Sequence, residues 1–263
     1  IRFPMRVALR GQKLGVKKSP EFFGLTWIEV RERVHAYGNY FKALGLKKGD
    51  RVAIQARNQM SWVIADWAMN ASGIISVPIY VQSLVSEVEY IVREAEVKLL
   101  LTDTIHPELS QQVKQISLEE MDEEAVKYLG QEFTTDPLKP EEVFTIIYTS
   151  GTTGEPKGVM HSGLGISRGV QRGVEYLKIT HRDQLLSYLP LSHIAERVLC
   201  NFVPIYSGAC VAFVESAERI SRVLPEIKPT VFLAVPRVWD MMRTKLKKEI
   251  ESNAMLQVRL ESI

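Results

Sequence analysis

Tyr148-Thr149-Ser150-Gly151-Thr152-Thr153-Gly154-Glu155-Pro156-Lys157-Gly158 is the stretch on which the reading of this chain turns. An apolar run at 144–148 feeds directly into four hydroxyl side chains and three glycines, with a lysine near the end. Glycine lets backbone N–H groups approach an anion with no Cβ in the way. The hydroxyls of Thr149, Ser150, Thr152 and Thr153 can donate to phosphate oxygens, and Lys157 adds a positive charge. This composition suits a polyphosphate. The plainer reading is a Gly/Thr hairpin turn with a surface lysine, but the density of donors exceeds what a turn needs. Two common phosphate loops fail the spacing test. A Walker loop counted from Gly151 meets Pro156 where glycine is required and Gly158 where Ser or Thr should bind magnesium. The pattern Gly-x-Gly-x-x-Gly starts at Gly163-Leu164-Gly165 but ends on Arg168.

On both sides of the loop, short apolar runs alternate with amphipathic ones. Upstream, Thr26 with Glu29 forms a capping-box pattern ahead of a helix that Gly45 stops. A strand at 52–54 follows, then a helix capped by Ser61 and ended by Gly73. A strand at 74–80, a helix at 85–95 and a strand at 98–102 complete this part. Downstream come a helix at 164–176, strands at 185–188 and 210–214, a helix at 217–224, a strand at 231–234 and a charged helix at 236–251. The alternation predicts an α/β fold of layered, mostly parallel sheets flanked by helices. Three regions result: a first βαβ region over 1–102, an acidic connecting segment over 103–142, and a phosphate-loop region over 143–263. Residues 1–20, basic and weakly periodic, read as a surface lead-in, and the acidic run 119–124 reads as a solvated face.

Composition bounds the function. Among 263 residues, 33 Lys+Arg against 31 Asp+Glu give a net charge of +2, and 46% are hydrophobic. Disorder is excluded by that apolar fraction, and binding of nucleic acid through bulk charge is disfavoured. Cys200 and Cys210 are too few for a disulfide scaffold and have no metal-ligand pair beside them, so a reducing, cytoplasm-facing compartment is the simplest inference. The charge-free stretches 67–86 and 198–214 are broken by Asn, Ser, Gly and Pro, which argues against a transmembrane helix. Peripheral contact with a membrane surface stays open.

The segment from Tyr148 to Gly158 resembles, residue for residue, the phosphate loop of the AMP-forming acyl-CoA synthetases and related adenylate-forming ligases. Leu44-Gly45-Leu46, Gly49-Asp50-Arg51-Val52-Ala53-Ile54 and Gly73-Ile74-Ile75-Ser76-Val77-Pro78-Ile79-Tyr80 are similar to earlier motifs of that family. Leu189-Pro190-Leu191-Ser192-His193-Ile194-Ala195-Glu196-Arg197 resembles a motif of its long-chain fatty acyl members, and Val235-Pro236-Arg237-Val238-Trp239 a later one. The likeness covers roughly residues 24–102 and 141–250.

The resemblance implies that a carboxylate attacks the α-phosphate of ATP, giving acyl-adenylate and pyrophosphate, and that coenzyme A then displaces AMP. It assigns Thr149, Ser150, Gly151, Thr152, Thr153, Gly154 and Lys157 to the phosphates, Thr149 to Mg2+, and His193 with Lys157 to catalysis. It also puts His193 and Arg197 at the acyl pocket. Some relatives carry an aromatic gate where Arg197 stands, and the plainer role of Arg197 is a salt bridge with Glu196. His161 and Ser162 could line the nucleotide site, although a strand-end histidine is the simpler reading. Trp239, Met241 and Met242 read as core. No Tyr-Gly-x-Thr-Glu, Thr-Gly-Asp or C-terminal lysine motif of the family occurs in the chain. The expectation is therefore the N-terminal part of a long-chain fatty acid–CoA ligase, inactive alone, whose C-terminal domain is absent. An aryl- or amino-acid-adenylating enzyme and a non-catalytic ATP-binding module are the alternatives.

Overall fold

The structure, a computed structural model, describes residues 2–12, 22–149, 155–214 and 217–252. In chain order its strands and helices are β1 (Val7–Gln12), β2 (Phe22–Thr26), α1 (Trp27–Ala43), β3 (Arg51–Gln55), α2 (Met60–Ala71), β4 (Ile75–Pro78), α3 (Val85–Glu94) and β5 (Val97–Thr102). Then follow β6 (Lys114–Ser117), α4 (Leu118–Ala125), β7 (Val143–Thr149), β8 (Lys157–Ser162), α5 (Gly163–Leu177), β9 (Gln184–Ser187) and α6 (Ile194–Arg197). A π-helical turn, Val198–Phe202, joins α6 to α7 (Val203–Ser207), and β10 (Cys210–Phe213), α8 (Ile220–Ile227) and α9 (Pro236–Glu251) complete the series.

The predicted capping box is present. Thr26 Oγ1 accepts from Glu29 N at 3.4 Å, and Thr26 N donates to Glu29 Oε2 at 2.7 Å. Helix α1 ends at Ala43 with Leu44 as its C-cap, and Gly45 follows with a positive φ of 82°. Helix α2 begins two residues earlier than a cap at Ser61 would place it, at Met60 after N-cap Gln59. Ser61 does not cap it; its hydroxyl donates to Asp122.

Six strands form one sheet in the order β6-β5-β3-β4-β7-β8, and four form another, β2-β1-β10-β9. All neighbours are parallel except β1 with β2 and β7 with β8. Val52, Ala53 and Ile54 of β3 are all fully buried, as a central parallel strand covered on both faces requires. Ala53, Val77 and Leu100 face α3 through Val88, Ile91 and Val92. Val52, Ile54 and Leu101 face α1 and α2, which also pack on Leu9 and Val211 of the smaller sheet. The outer face of that sheet, Leu186 and Ala212, is covered by Ile220, Val223 and Ile227 of α8. The layers are therefore helix, sheet, helices, sheet, helix, which is the α/β architecture expected.

Several local expectations change. The lead-in assigned to residues 1–20 contains β1, with Ala8 and Leu9 wholly buried and Leu9 in register with Val211; residues 13–20 lie outside the described part. The connecting segment 103–142 supplies β6, an edge strand, and α4, whose Leu118, Met121 and Ala125 are buried. Its acidic run is thus solvated on one face only. Asp122 turns inward, accepts from Tyr37 and Ser61, and has its carboxyl pushed up to about 6 by burial. The strand expected at 231–234 reduces to a single parallel bridge, Val231 with Leu185. The helix expected from Ala217 begins as a 3-10 turn, Ala217–Arg219, ahead of α8. Trp239 and Met241 are half exposed, and Met242 alone of that trio packs against the core. Among the described residues, no helix is long and apolar enough to cross a membrane.

Candidate active site

Ligand crevices in open parallel sheets lie beyond the carboxyl ends of the strands. Here those ends are Pro78 of β4, Thr149 of β7 and Ser187 of β9. A cavity of about 450 Å³ opens there, with Tyr80, Tyr148, Thr149, Pro156, Ser192 and His193 on its wall. A second cavity of about 470 Å³ adjoins it, sharing Tyr80, Leu189, Pro190, Ser192 and Val235 and adding Arg57, Tyr188 and Arg237. The volumes lie in the range of small-molecule sites.

Strands β7 and β8 are the arms of a hairpin whose connection is the glycine- and hydroxyl-rich loop. The hairpin and phosphate-loop readings are therefore compatible. Thr149 and Lys157 are paired in register at its mouth, which sets their side chains on one face. Ser150, Gly151, Thr152, Thr153 and Gly154 lie outside the described residues. One glycine of the motif has a steric explanation: Gly158 faces Tyr148, and a Cβ there would stand 2.9 Å from Ile146 Cγ2 and 3.1 Å from Tyr148 Cζ.

His193 caps α6, and its Nδ1 accepts from Ala195 N at 3.2 Å. With Nδ1 engaged as an acceptor, Nε2 is the ring nitrogen left to donate. The loop carrying His193 is held by Asn58, a residue that no motif singled out. Asn58 Nδ2 donates to Ser187 Oγ at 3.0 Å and Leu189 O at 2.5 Å, while its Oδ1 accepts from Leu191 N at 3.1 Å. The only trace of this role in the sequence is a polar residue just past the end of β3. Glu196 holds the same loop from the other side, its Oε1 accepting from Tyr188 N at 3.1 Å. Burial pushes the Glu196 carboxyl up to about 7, although bonds from Ser187, Cys200 and the Tyr188 and Leu189 backbone act to lower it.

Arg197 is not at the cavity. Expected at the acyl pocket, it is fully buried between the two sheets, and its salt bridge is with Asp66 at 2.6 Å, not with Glu196. Its remaining donors reach Thr145 and Ser76, and Asn201 also donates to Asp66. Trp62 and Phe202 flank the guanidinium, 5.8 and 5.2 Å from it. Four segments converge on this one charge pair, which is why it faces inward: Arg197 neutralises the buried Asp66 carboxylate of α2 and donates to hydroxyls of β4 and β7. His161 sits in β8 opposite Thr145, off the cavity wall. Burial lowers its pKa, and the charge of Arg197 adds to the effect. Ser162 caps α5, accepting from Gly165 N at 3.2 Å.

The profile of the AMP-binding enzyme family matches residues 2–262. The chain belongs to the AMP-binding enzyme family. Among curated AMP-binding relatives, it is 27% identical to long chain acyl-CoA synthetase 5 of Arabidopsis thaliana, over 98% of this chain and 44% of that protein. It is 32% identical to the long-chain-fatty-acid--CoA ligase ACSBG2 of Rattus norvegicus, over 81% of this chain and 37% of that protein. It thus spans less than half the length of these relatives. Among solved structures, o-succinylbenzoate CoA synthetase of Bacillus subtilis with its acyl-adenylate intermediate superposes with a TM-score of 0.81 at 23% identity, covering 92% of this chain and 48% of that one. Apo MatB of Rhodopseudomonas palustris gives 0.78 at 21% identity, covering 90% and 48%. These two superpositions establish the fold, which the chain shares with about half of each of those proteins.

Proposed function

We propose that this chain forms the phosphate- and acid-binding part of an AMP-forming acid–thiol ligase, and that the acid is a long-chain fatty acid. The observation that carries the reading is the meeting of Thr149, from the end of the phosphate-loop strand, and His193, from a separate motif, on one cavity wall. In this reading the loop and Lys157 hold the β- and γ-phosphates of ATP, and Thr149 contributes a hydroxyl beside Mg2+. A magnesium ion that arrives with a nucleotide keeps several waters and needs few protein ligands, so an exposed hydroxyl at the strand end fits it. When bound, the ion supplies charge neutralisation at the phosphates. His193 Nε2–H donates toward the carboxylate or the α-phosphate and orients the attack that forms acyl-adenylate and pyrophosphate. Coenzyme A is the thiol that then displaces AMP. The chemistry is positioning and electrostatic stabilisation, with no covalent enzyme intermediate. Support for the fatty acid comes from the Leu189–Arg197 motif and from the names of the curated relatives. An aryl acid is the second reading, favoured by the superposition on o-succinylbenzoate CoA synthetase.

Calorimetry of MgATP with the 263-residue chain tests the first half. Thr149→Val should weaken binding by about ten-fold or more, the scale of one hydrogen bond to a charged group. Absence of MgATP binding to the unaltered chain would overturn the reading. Pyrophosphate exchange with palmitate, octanoate and benzoate, in a polypeptide of the relatives' full length, tests the second half. Preference for benzoate would replace the fatty acid by the aryl reading.

A further inference from the structure

The near-neutral charge of the whole chain is not evenly spread. Residues 1–12, 176–182 and 198–212 contain no Asp or Glu, yet they carry Arg2, Arg6, Arg10, Lys178 and Arg182. The fold brings these three segments to one place. Phe3 stacks on His181 with ring centroids 4.1 Å apart, and the Arg2 guanidinium stands over the Phe3 ring at 5.4 Å. A Cβ on Gly208 would come within 2.9 Å of Phe3 Cδ2 and 3.2 Å of His181 Cβ, so the end of α7 closes against the same pair. Arg6 turns back on Phe3, its backbone N–H donating to the Phe3 carbonyl at 3.3 Å. Desolvation lowers the pKa of His181, and the charges of Arg6, Arg182 and Arg2 lower it further, as expected where three guanidinium groups surround one ring.

Two properties set this junction apart. First, its cations lack counter-ions: among the described residues, Arg2, Arg6, Lys178 and Arg182 form no ion pair. Asp183, the acid that acts on His181, is taken up by hydrogen bonds from Thr180 and Thr230. Second, large apolar side chains project into water from the same three segments. Met5 is 75% exposed, Leu177 54%, and Ile205 and Tyr206 53% each. Apolar tips set among unpaired arginines are complementary to a surface that is anionic outside and apolar beneath. Nucleic acid offers no layer for aliphatic tips, and a protein partner would have to present acids and an apolar socket together. A bilayer supplies both in one structure, and tyrosine is at home at its interface.

We propose that the junction of the Arg2–Arg6 turn, the His181–Arg182 turn and the end of α7 docks on an anionic lipid bilayer. Arg2, Arg6, Lys178 and Arg182 pair with headgroup phosphates, while Met5, Ile205 and Tyr206 enter the interface. The inference does not rest on the ligase reading, because the surface needs neither nucleotide nor acid to bind.

Cosedimentation with lipid vesicles tests it. The 263-residue chain should bind vesicles of equal parts phosphatidylcholine and phosphatidylserine, and bind pure phosphatidylcholine at least about ten-fold more weakly. Added salt should release it. Arg6→Gln combined with Arg182→Gln should weaken binding by about five-fold for each cation lost, with circular dichroism unchanged. Met5→Ser combined with Ile205→Ser keeps every charge and should weaken it about ten-fold. Absence of binding to the mixed vesicles, equal binding to the two kinds, or failure of either double substitution to weaken it would overturn the proposal. So would a dimer of the chain that Arg6→Gln with Arg182→Gln dissolves and anionic vesicles leave intact, since the surface would then be a protein contact.

Discussion

Arg197 shows how much a single residue's meaning depends on its surroundings. Its position in the motif suggested a pocket; its contacts make it the centre of a buried polar cluster joining Asp66, Ser76, Thr145 and Asn201. Removing one partner of a buried pair costs about 3–5 kcal/mol, mostly because the other charge is stranded. Arg197→Met should therefore lower unfolding free energy by that amount in urea, and a loss under about 1 kcal/mol would contradict the assignment. Glu196 gives a pH signature. Its carboxyl is raised from 4.5 to about 7, so between those values the folded state holds the proton more tightly than the unfolded chain. Stability from this group is fully present below pH 4.5 and falls as pH rises to about 7, at a limiting rate of ~1.4 kcal/mol per pH unit. Asp122, raised from 3.8 to about 6, acts in the same direction over a lower window. Glu196→Gln should flatten the upper part of the decline and leave the lower part, as denaturant melts across pH will show.

The elements that aim the candidate site are tied by few but specific contacts. Asn58 alone bonds the last residue of β9 and two points of the segment between β9 and α6. In Asn58→Ala the Leu191 amide loses its acceptor, so its hydrogen exchange should accelerate, with a stability loss of ~1–3 kcal/mol. Unchanged exchange at Leu191 would show that the loop is held otherwise. Gly73 ends α2 with φ +70°, and a Cβ there would meet Asp136 O at 2.4 Å and Lys48 Cγ at 2.9 Å. Gly73→Ala combines a left-handed residue, costing about 1–2 kcal/mol, with a clash against the strap before β7. A thermal melt should show at least that loss.

Across the whole molecule, the two sheets share one core. Leu9, Val52, Trp62, Leu101 and Val211 belong to a single buried cluster between them. Separate unfolding of the sheets would expose this cluster, so far-UV dichroism and tryptophan fluorescence should report one coincident transition. Two resolved transitions would mean that the layers are separable. Near-neutral charge is consistent with a nucleotide met by one local loop.

Much of this molecule is legible in the chain alone. The capping box at Thr26, the stop at Gly45 and the alternation around β3, α2 and β4 are local signals, set by side-chain type and short spacing. What the sequence concealed is non-local. β1 is recognisable only once Leu9 lies beside Val211, and α4 only once Asp122 meets Tyr37 and Ser61. The sequence by itself determined the family and the α/β alternation. Only the tertiary structure decided that His193 shares a cavity with Thr149 while Arg197 turns away from it. The direction of a side chain depends on which distant groups would otherwise be buried unpaired, and linear spacing does not record that.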